Sequence, residues 1–492
     1  MSDDSTPAVL AGRLRTLIAE LSVGDRLPSS RELIRRHGVS PVTVTRAIAL
    51  LAAEGLVTTR PGSGTYVASR RGTSGSGGHG GFGSFGGDDN PAGPAFGSRF
   101  GGDTAWQTVA LADRAVDTRP VTDVLGPPPP GTLRLDGGYL HRSLQPTRAL
   151  AAALARAARR PDAWDRTLGN GLEPLRAVFA RGVGAGAGPE DVVITAGGQN
   201  ALSTAFRAVA APGAAILVES PTYPGAIAAA RAADLRPLPV PVDEHGLRPE
   251  LLADAFALSG ARLLYCQPTY QNPTGAVLAP DRRRQIVEVA RAAGAFIVED
   301  DFARLLGHGG PVPPPLLAED RDGTVVYLTS LSKPAAPSLR IGALIARGPV
   351  MERLRAVRHV DDFFVSRPLQ ETAVELTSAP GWVRHLRTLS AALRERCAAL
   401  AAALEAEIPE WTVSRLPGGG LHLWVRPTPG EDDAVLAAAA RRHGVSVSPG
   451  NRYFATEPPG PFLRLGFAAA ADRTELREAV RRLAAARRES AG

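Results

Sequence analysis

Residues 330–342 read SLSKPAAPSLRIG, directly after the apolar run Val325–Thr329. Lys333 in this stretch is the only lysine among the 56 Lys and Arg residues of the chain. An Ala-, Gly-, Pro- and Arg-rich composition, of the kind a GC-rich genome produces, accounts for the scarcity of lysine. It does not account for where the last one sits. Lys333 offers a primary amine, the side-chain group that condenses with a carbonyl carbon. Ser330 and Arg340 flank it, and a guanidinium can donate paired hydrogen bonds to a phosphate.

Outward from this loop runs a long alternation of apolar strands and helices. Strands are expected at Val192–Thr195, Ala215–Glu219, Leu263–Gln267, Ala295–Asp300, Val325–Thr329 and Ile341–Ala346, with helices such as Asn200–Ala210 and Asp281–Ala293 between them. That alternation predicts an α/β fold with a sheet covered on both faces. Beyond about residue 355, longer helices, a hairpin-like Trp411–Arg426 and a terminal helix near Arg473–Ala485 predict a smaller α+β domain.

An amine beside phosphate donors suits pyridoxal phosphate, and the other needs of that cofactor have candidates too. Lys333 would hold its aldehyde as a Schiff base. Gly197–Gly198–Gln199 lies between a strand and a helix start, where main-chain N–H groups point at a phosphate. A carboxylate keeps a pyridine nitrogen protonated, and Glu299, Asp300 and Asp301 end an apolar strand where a ligand site would open. Tyr223, in ESPTYPG, can stack on the ring. Asn272, in QNPTG, can donate to its phenolate oxygen. Each element alone is ordinary: strand-terminal acids are often caps, and a single tyrosine is more often core.

Together and in this order, the residues from about Leu135 to the C-terminus resemble the aminotransferase class I/II family. SxSKxxxPxxRxG is the most specific part. The resemblance implies a fold-type-I large domain with a small α+β domain. It implies Asn272 and Asp300 as ring contacts, with Asp301 the fallback, and Arg464 in FLRLGFA as the clamp for an α-carboxylate. One departure stands out. Relatives usually carry a tyrosine shortly after the aspartate, whereas Phe302 follows here, and a phenyl ring cannot donate a hydrogen bond.

The N-terminal run LPSSRELIRRHGVSPVTVTRAIALLAAEGLVTTRPGSGTYVA has its own grammar. Ser29 or Ser30 can cap a helix carrying Arg31, Arg35 and Arg36, and Gly38 suits the turn. Ser40 followed by Pro41 is a strong helix start. Val44, Ala47, Ile48 and Leu51 share an inward face, leaving Thr43, Thr45 and Arg46 outside it. Leu56–Thr59 and Thr65–Ala68 can form a hairpin. These residues resemble the winged helix-turn-helix of the GntR family, which implies Arg31, Thr43, Thr45, Arg46 and Gly62 as contacts to a double-stranded DNA operator.

Composition joins the two parts. Residues 1–71 carry ten Arg against six Asp and Glu, within a net charge of +7. This balance suits a polyanion partner or a solvated face. Residues 69–105 are dominated by Gly, Ser, Asp and Pro and are expected to be a tether, their phenylalanines notwithstanding. The division expected is 1–70 reader, 71–106 linker and 107–492 cofactor domain, with a large part at about 135–355 and a small part at about 356–492. Cys266 and Cys397 lack metal-ligand spacing, so no metal is expected. Neither a signal peptide nor a membrane-length apolar run is visible, which points to the cytoplasm.

The fusion resembles the MocR subfamily of GntR-family regulators. It implies a head-to-tail homodimer and a sensor for pyridoxal phosphate itself or for a small amine or amino acid effector. A working aminotransferase with a DNA-binding appendage is the alternative. A scaffold that binds nothing conflicts with the intact motif set.

Overall fold

The N-terminal helices begin and end where the sequence offers caps. They are α1 (Pro7–Ala19), α2 (Ser30–His37) and α3 (Pro41–Ala53). Ser29 Oγ accepts from Glu32 N at 3.3 Å, and Gly38 closes α2 at φ 62°, a region glycine reaches without penalty. Ser40 Oγ accepts from Thr43 N at 3.1 Å at the start of α3. Val44, Ala47 and Leu51 are buried with Leu10, Leu14 and Leu33, and Ile48 packs against them. Strands β1 (Val57–Arg60) and β2 (Gly64–Val67) pair antiparallel as a wing, and Arg26 bridges to Tyr66 beside them.

The computed structural model describes residues 7–19, 21–22, 25–53, 56–60, 64–67, 126 and 129–490. The chain divides into two units, 1–116 and 117–492. Gly62, the glycine-rich stretch 69–105 and the side chain of Arg31 lie outside the described residues.

In the second unit, β3 (Leu133–Arg134) precedes an eight-stranded sheet. Its strands are β4 (Val192–Thr195), β5 (Ala215–Ser220), β6 (Arg236–Asp243), β7 (Gly246–Leu247), β8 (Leu263–Cys266), β9 (Phe296–Asp300), β10 (Val325–Ser330) and β11 (Gly342–Ile345). Their order is β4-β11-β10-β9-β8-β5-β6-β7. Strand β11 runs antiparallel to both neighbours, while β10, β9, β8, β5 and β6 are mutually parallel. Alternate residues serve opposite faces. Ile194, Leu217, Leu264, Ile297 and Val325 pack on one side, and Val193, Val218, Tyr265, Val298 and Val326 on the other. Two buried faces explain why these strands read as unbroken apolar runs.

Strand β6, RPLPVPVD, falls outside the sequence expectation because proline removes a ladder donor. Pro237, Pro239 and Pro241 share one parity, so the missing donors lie along one side only. The strand pairs with β5 over Ala215–Ser220 and stands near the sheet edge, where such losses are tolerated.

A second core gathers around β12 (Thr412–Val413), β13 (His422–Arg426), β14 (Val445–Ser446), β15 (Ser448–Pro449) and β16 (Leu463–Gly466). The sheet order is β12-β13-β16-β15, and β14 pairs with β3. The division expected near residue 355 lies further on. In the long helix Pro380–Glu407, Trp382 joins the large core, whereas Leu389 to Leu404 join the small one. Leu135 and Leu140 also belong to the small core, so the chain enters it before building the large one. Among the described residues no helix is long and apolar enough to cross a membrane.

Buried acids brace the carboxyl edge of the large sheet. Glu219 accepts from Gln267 N at 3.1 Å and from Gln271 Nε2 at 3.2 Å, and burial pushes its pKa up to about 8. Glu299 accepts from Leu316 N and Leu317 N at 2.8 and 3.1 Å.

Two measurements test this account. Phe206 is fully buried and meets Tyr265 edge-on at 6.0 Å. Phe206→Ala is expected to cost about 3–5 kcal/mol in denaturant unfolding of the C-terminal unit. Glu219 prefers its proton when folded more than when unfolded, so its contribution falls as pH rises from about 4.5 to about 8. Glu219→Gln does not titrate, and its stability relative to wild type should therefore improve between about pH 5 and about pH 8. Parallel stability curves for the two proteins would contradict the assignment.

Candidate cofactor and effector site

Every parallel strand that carries a sequence-predicted residue delivers it at its carboxyl end, where α/β sheets bind ligands. Gly197 and Gly198 follow β4, Tyr223 follows β5, Asn272 follows β8, Asp300 ends β9, and Lys333 follows β10. One cavity is lined by Gly198, Tyr223, Asn272, Asp300 and Lys333 together with Gln199, Ser330, Arg340 and Arg464.

One side of the cavity is built by the β10–β11 hairpin. Gly342 pairs with Thr195, which returns Arg340 to the end of β4. A Cβ at Gly342 would lie 3.0 Å from Gly197 Cα, so the glycine in SxSKxxxPxxRxG is a close-approach residue. Gly197 itself sits at φ 87° and caps the helix Gly198–Val209, whose first residues Gly198 and Gln199 line the cavity. A Cβ there would lie 2.7 Å from Arg340 Nη2. Arg340 adopts φ 48° and donates to Ala196 O at 2.8 Å. Ser330 Oγ donates to Ile341 O and accepts from Ser332 N, both at 3.1 Å. Ser332 Oγ is buried without a partner, so Ser332, which sequence reasoning passed over, is the hydroxyl still free to donate.

The three acids at the end of β9 now separate. Glu299 caps main-chain N–H groups. Asp301 is paired with Arg304 and accepts from Tyr327 Oη at 3.0 Å. Asp300 alone of the three lines the cavity. Its Oδ2 accepts from Tyr265 Oη at 2.7 Å and Gln267 Nε2 at 3.0 Å, while Oδ1 is buried and unpartnered. Burial raises its pKa to about 6, with the Tyr265 and Gln267 hydrogen bonds opposing.

Lys333 Nζ donates to Gly138 O at 2.6 Å and lies 3.7 Å from the Tyr139 ring centroid. Burial brings its pKa down to about 7, Arg464 adds to this, and Asp300 opposes it. A large share of the amine is therefore neutral and nucleophilic near neutral pH. Arg464 is only 5% exposed, which sets aside an ordinary surface arginine. It donates to Asp136 O at 2.6 Å, and its Nε is unpartnered.

Tyr223 Oη donates to Gln199 Oε1 at 3.2 Å, and Gln199 Nε2 donates to Gly225 O at 2.8 Å. Gln199 thus fixes the tyrosine. Asn272 is buried with Oδ1 unpartnered. Phe302 lines the cavity with a phenyl ring, which cannot donate a hydrogen bond. The unpartnered Asp300 Oδ1 and Ser332 Oγ and the glycine cradle fit a phosphorylated pyridine aldehyde. Sequence reasoning missed Gly138, Tyr139, Ser332 and His422; Gly138 and Tyr139 stand in LDGGYLH, a glycine pair beside an aromatic that hints at a close approach.

In the N-terminal unit, Thr43 is 9% exposed and its hydroxyl is engaged with Ser40 Oγ at 2.9 Å, so it serves the start of α3. Thr45 Oγ1 donates to Pro41 O at 3.1 Å. Arg46 is exposed.

Comparison with known proteins matches both units. Residues 149–483 match the family described as aminotransferase class I and II, and residues 8–67 match the bacterial regulatory proteins of the gntR family. The 2-aminoadipate transaminase of Thermus thermophilus is 32% identical over 72% of this chain and 89% of its own length. The probable rhizopine catabolism regulatory protein MocR of Rhizobium meliloti is 27% identical over 96% of this chain and 92% of its own. The crystal structure of LysN, the α-aminoadipate aminotransferase of Thermus thermophilus complexed with N-(5'-phosphopyridoxyl)-L-leucine, superimposes with a TM-score of 0.72 at 30% identity. It covers 78% of this chain and 97% of that one. The chain belongs to the aminotransferase class I and II family, and with a GntR-family domain at its N-terminus it has the MocR-type architecture.

Proposed function

We propose that this protein is a cytoplasmic transcriptional regulator whose aminotransferase-like domain binds pyridoxal phosphate and reads a small amine or amino acid. The observation that carries the reading is one chain holding both a GntR-family reader and a complete cofactor cavity. Residues 1–70 form the reader, 71–106 the tether and 107–492 the sensor.

Bound, the cofactor supplies an electrophilic carbon and an electron-withdrawing ring. Lys333 would hold that carbon, and its lowered pKa keeps the amine available. Asp300 would meet the ring nitrogen through Oδ1, while Tyr265 and Gln267 hold the carboxylate in place. Ser332, Arg340 and the N–H groups of Gly197–Gly198 would receive the phosphate, Tyr223 would cover the ring, and Arg464 would clamp a ligand carboxylate. A ligand regulates only by favouring one arrangement of the readers over another.

A head-to-tail homodimer accompanies this reading. Trp164, Leu168, Val360 and Phe363 are largely exposed, and Gly169 lies against His359, so these two segments meet at the surface. An apolar surface of this kind suits a subunit interface. Two readers per dimer match paired half-sites, with Arg46 and Thr45 at the operator.

Turnover is the competing reading, favoured by the presence of an amine, an acid and a carboxylate clamp in one cavity. Purified protein should show a visible absorption band that is lost in Lys333→Ala; a colourless protein that stays colourless with added cofactor overturns both readings. A footprint upstream of the protein's own gene should disappear in Arg46→Ala and respond to cofactor or amine. Steady-state transamination with no such footprint would favour the enzyme.

A further inference from the structure

His422 is 4% exposed and lines the cavity, yet no cofactor contact described above uses it. It sits on β13 opposite Gly466 of β16, and Trp424 sits opposite Arg464. Directly opposed residues share a sheet face, so His422 and Arg464 are diagonal neighbours on the same face, within reach of one ligand. Opposite His422, Gly466 admits the main chain of Gly137, whose carbonyl oxygen a Cβ would approach to 2.5 Å.

One side of the imidazole faces the main chain of Gln271, which opposes the lowering of its pKa. Gln271 is itself locked. Its Nε2 donates to Glu219 and to Pro221 O at 3.2 and 2.7 Å, and its Oε1 accepts from Thr274 Oγ1 at 2.7 Å. Burial holds the His422 pKa well below its usual range, and Arg464 and Lys333 press in the same direction. A neutral imidazole that donates from one nitrogen has a lone pair on the other.

We propose that His422 is a specificity-determining residue: its second ring nitrogen accepts a hydrogen bond from the side chain of an amino acid whose carboxylate Arg464 holds. The ligand class is then an amino acid with an uncharged donor on its side chain, such as a carboxamide. This rests on the reading of Arg464 as the carboxylate clamp.

The test uses the full chain loaded with pyridoxal phosphate and follows the visible band during titration. L-asparagine is compared with L-leucine, and L-glutamine with L-methionine, pairs of similar size that differ in the side-chain donor. Wild type should bind the amide of each pair about tenfold more tightly, the worth of one net hydrogen bond. His422→Phe should abolish the preference while keeping the band, and His422→Gln, which retains an acceptor, should keep it. Equal affinities within each pair, or a preference that survives in His422→Phe, overturns the role of His422 alone. If the band is present but no amino acid perturbs it, the reading of Arg464 falls and the role of His422 falls with it.

Discussion

The antiparallel insertion of β11 between β4 and β10 is the constraint on which the site depends. In a purely parallel sheet, the chain leaving β10 would need a long crossover before returning. The hairpin instead turns back within Leu331–Ile341, so the lysine and the arginine of one loop line one cavity. The pairing of Gly342 with Thr195 lays Arg340 against Gly197, where only the absence of a Cβ permits the contact. Glycine cradle, amine and sheet edge are therefore set by a single register.

The second determinant is the handling of buried charge. Lys333, Arg340 and Arg464 line one cavity with Asp300 as the acid, and unpaired charge in such surroundings is costly. The segment Asp136–Tyr139, next to residues of the small core, meets part of this demand. Its carbonyls accept from Arg464 and Lys333, and the Tyr139 ring lies over the lysine. The cavity is thus tied to the junction of the two cores of the C-terminal unit.

Much of this was legible in the sequence. The strand runs from Val192 to Ala346 stood out because both faces are buried, and the capping grammar at Ser29, Gly38 and Ser40 is local. The cavity-lining residues Tyr223, Asn272, Asp300 and Lys333 were legible because each stands at or just beyond a strand end. Strand β6 was not, since its prolines count against a strand unless its place near the edge is known. The large and small cores were not divided correctly either, because Leu135, Leu140 and the helix Pro380–Glu407 choose their core by contacts distant in sequence.

The sequence by itself determined the order of elements, the sole amine and the set of chemical groups around it. These depend on short-range patterning and on residue identity. Only the tertiary structure decided which of Glu299, Asp300 and Asp301 faces the ligand, that Ser332 holds the free hydroxyl, and that Lys333 and Arg464 share the strap at Asp136–Gly138. It also placed His422 on the sheet face that carries Arg464. The physical reason is that a side chain's role is fixed by which hydrogen bonds remain unmade after folding, and those partners lie far apart along the chain. Lys333 was conspicuous from the outset, but its lowered pKa is a property of the buried cavity.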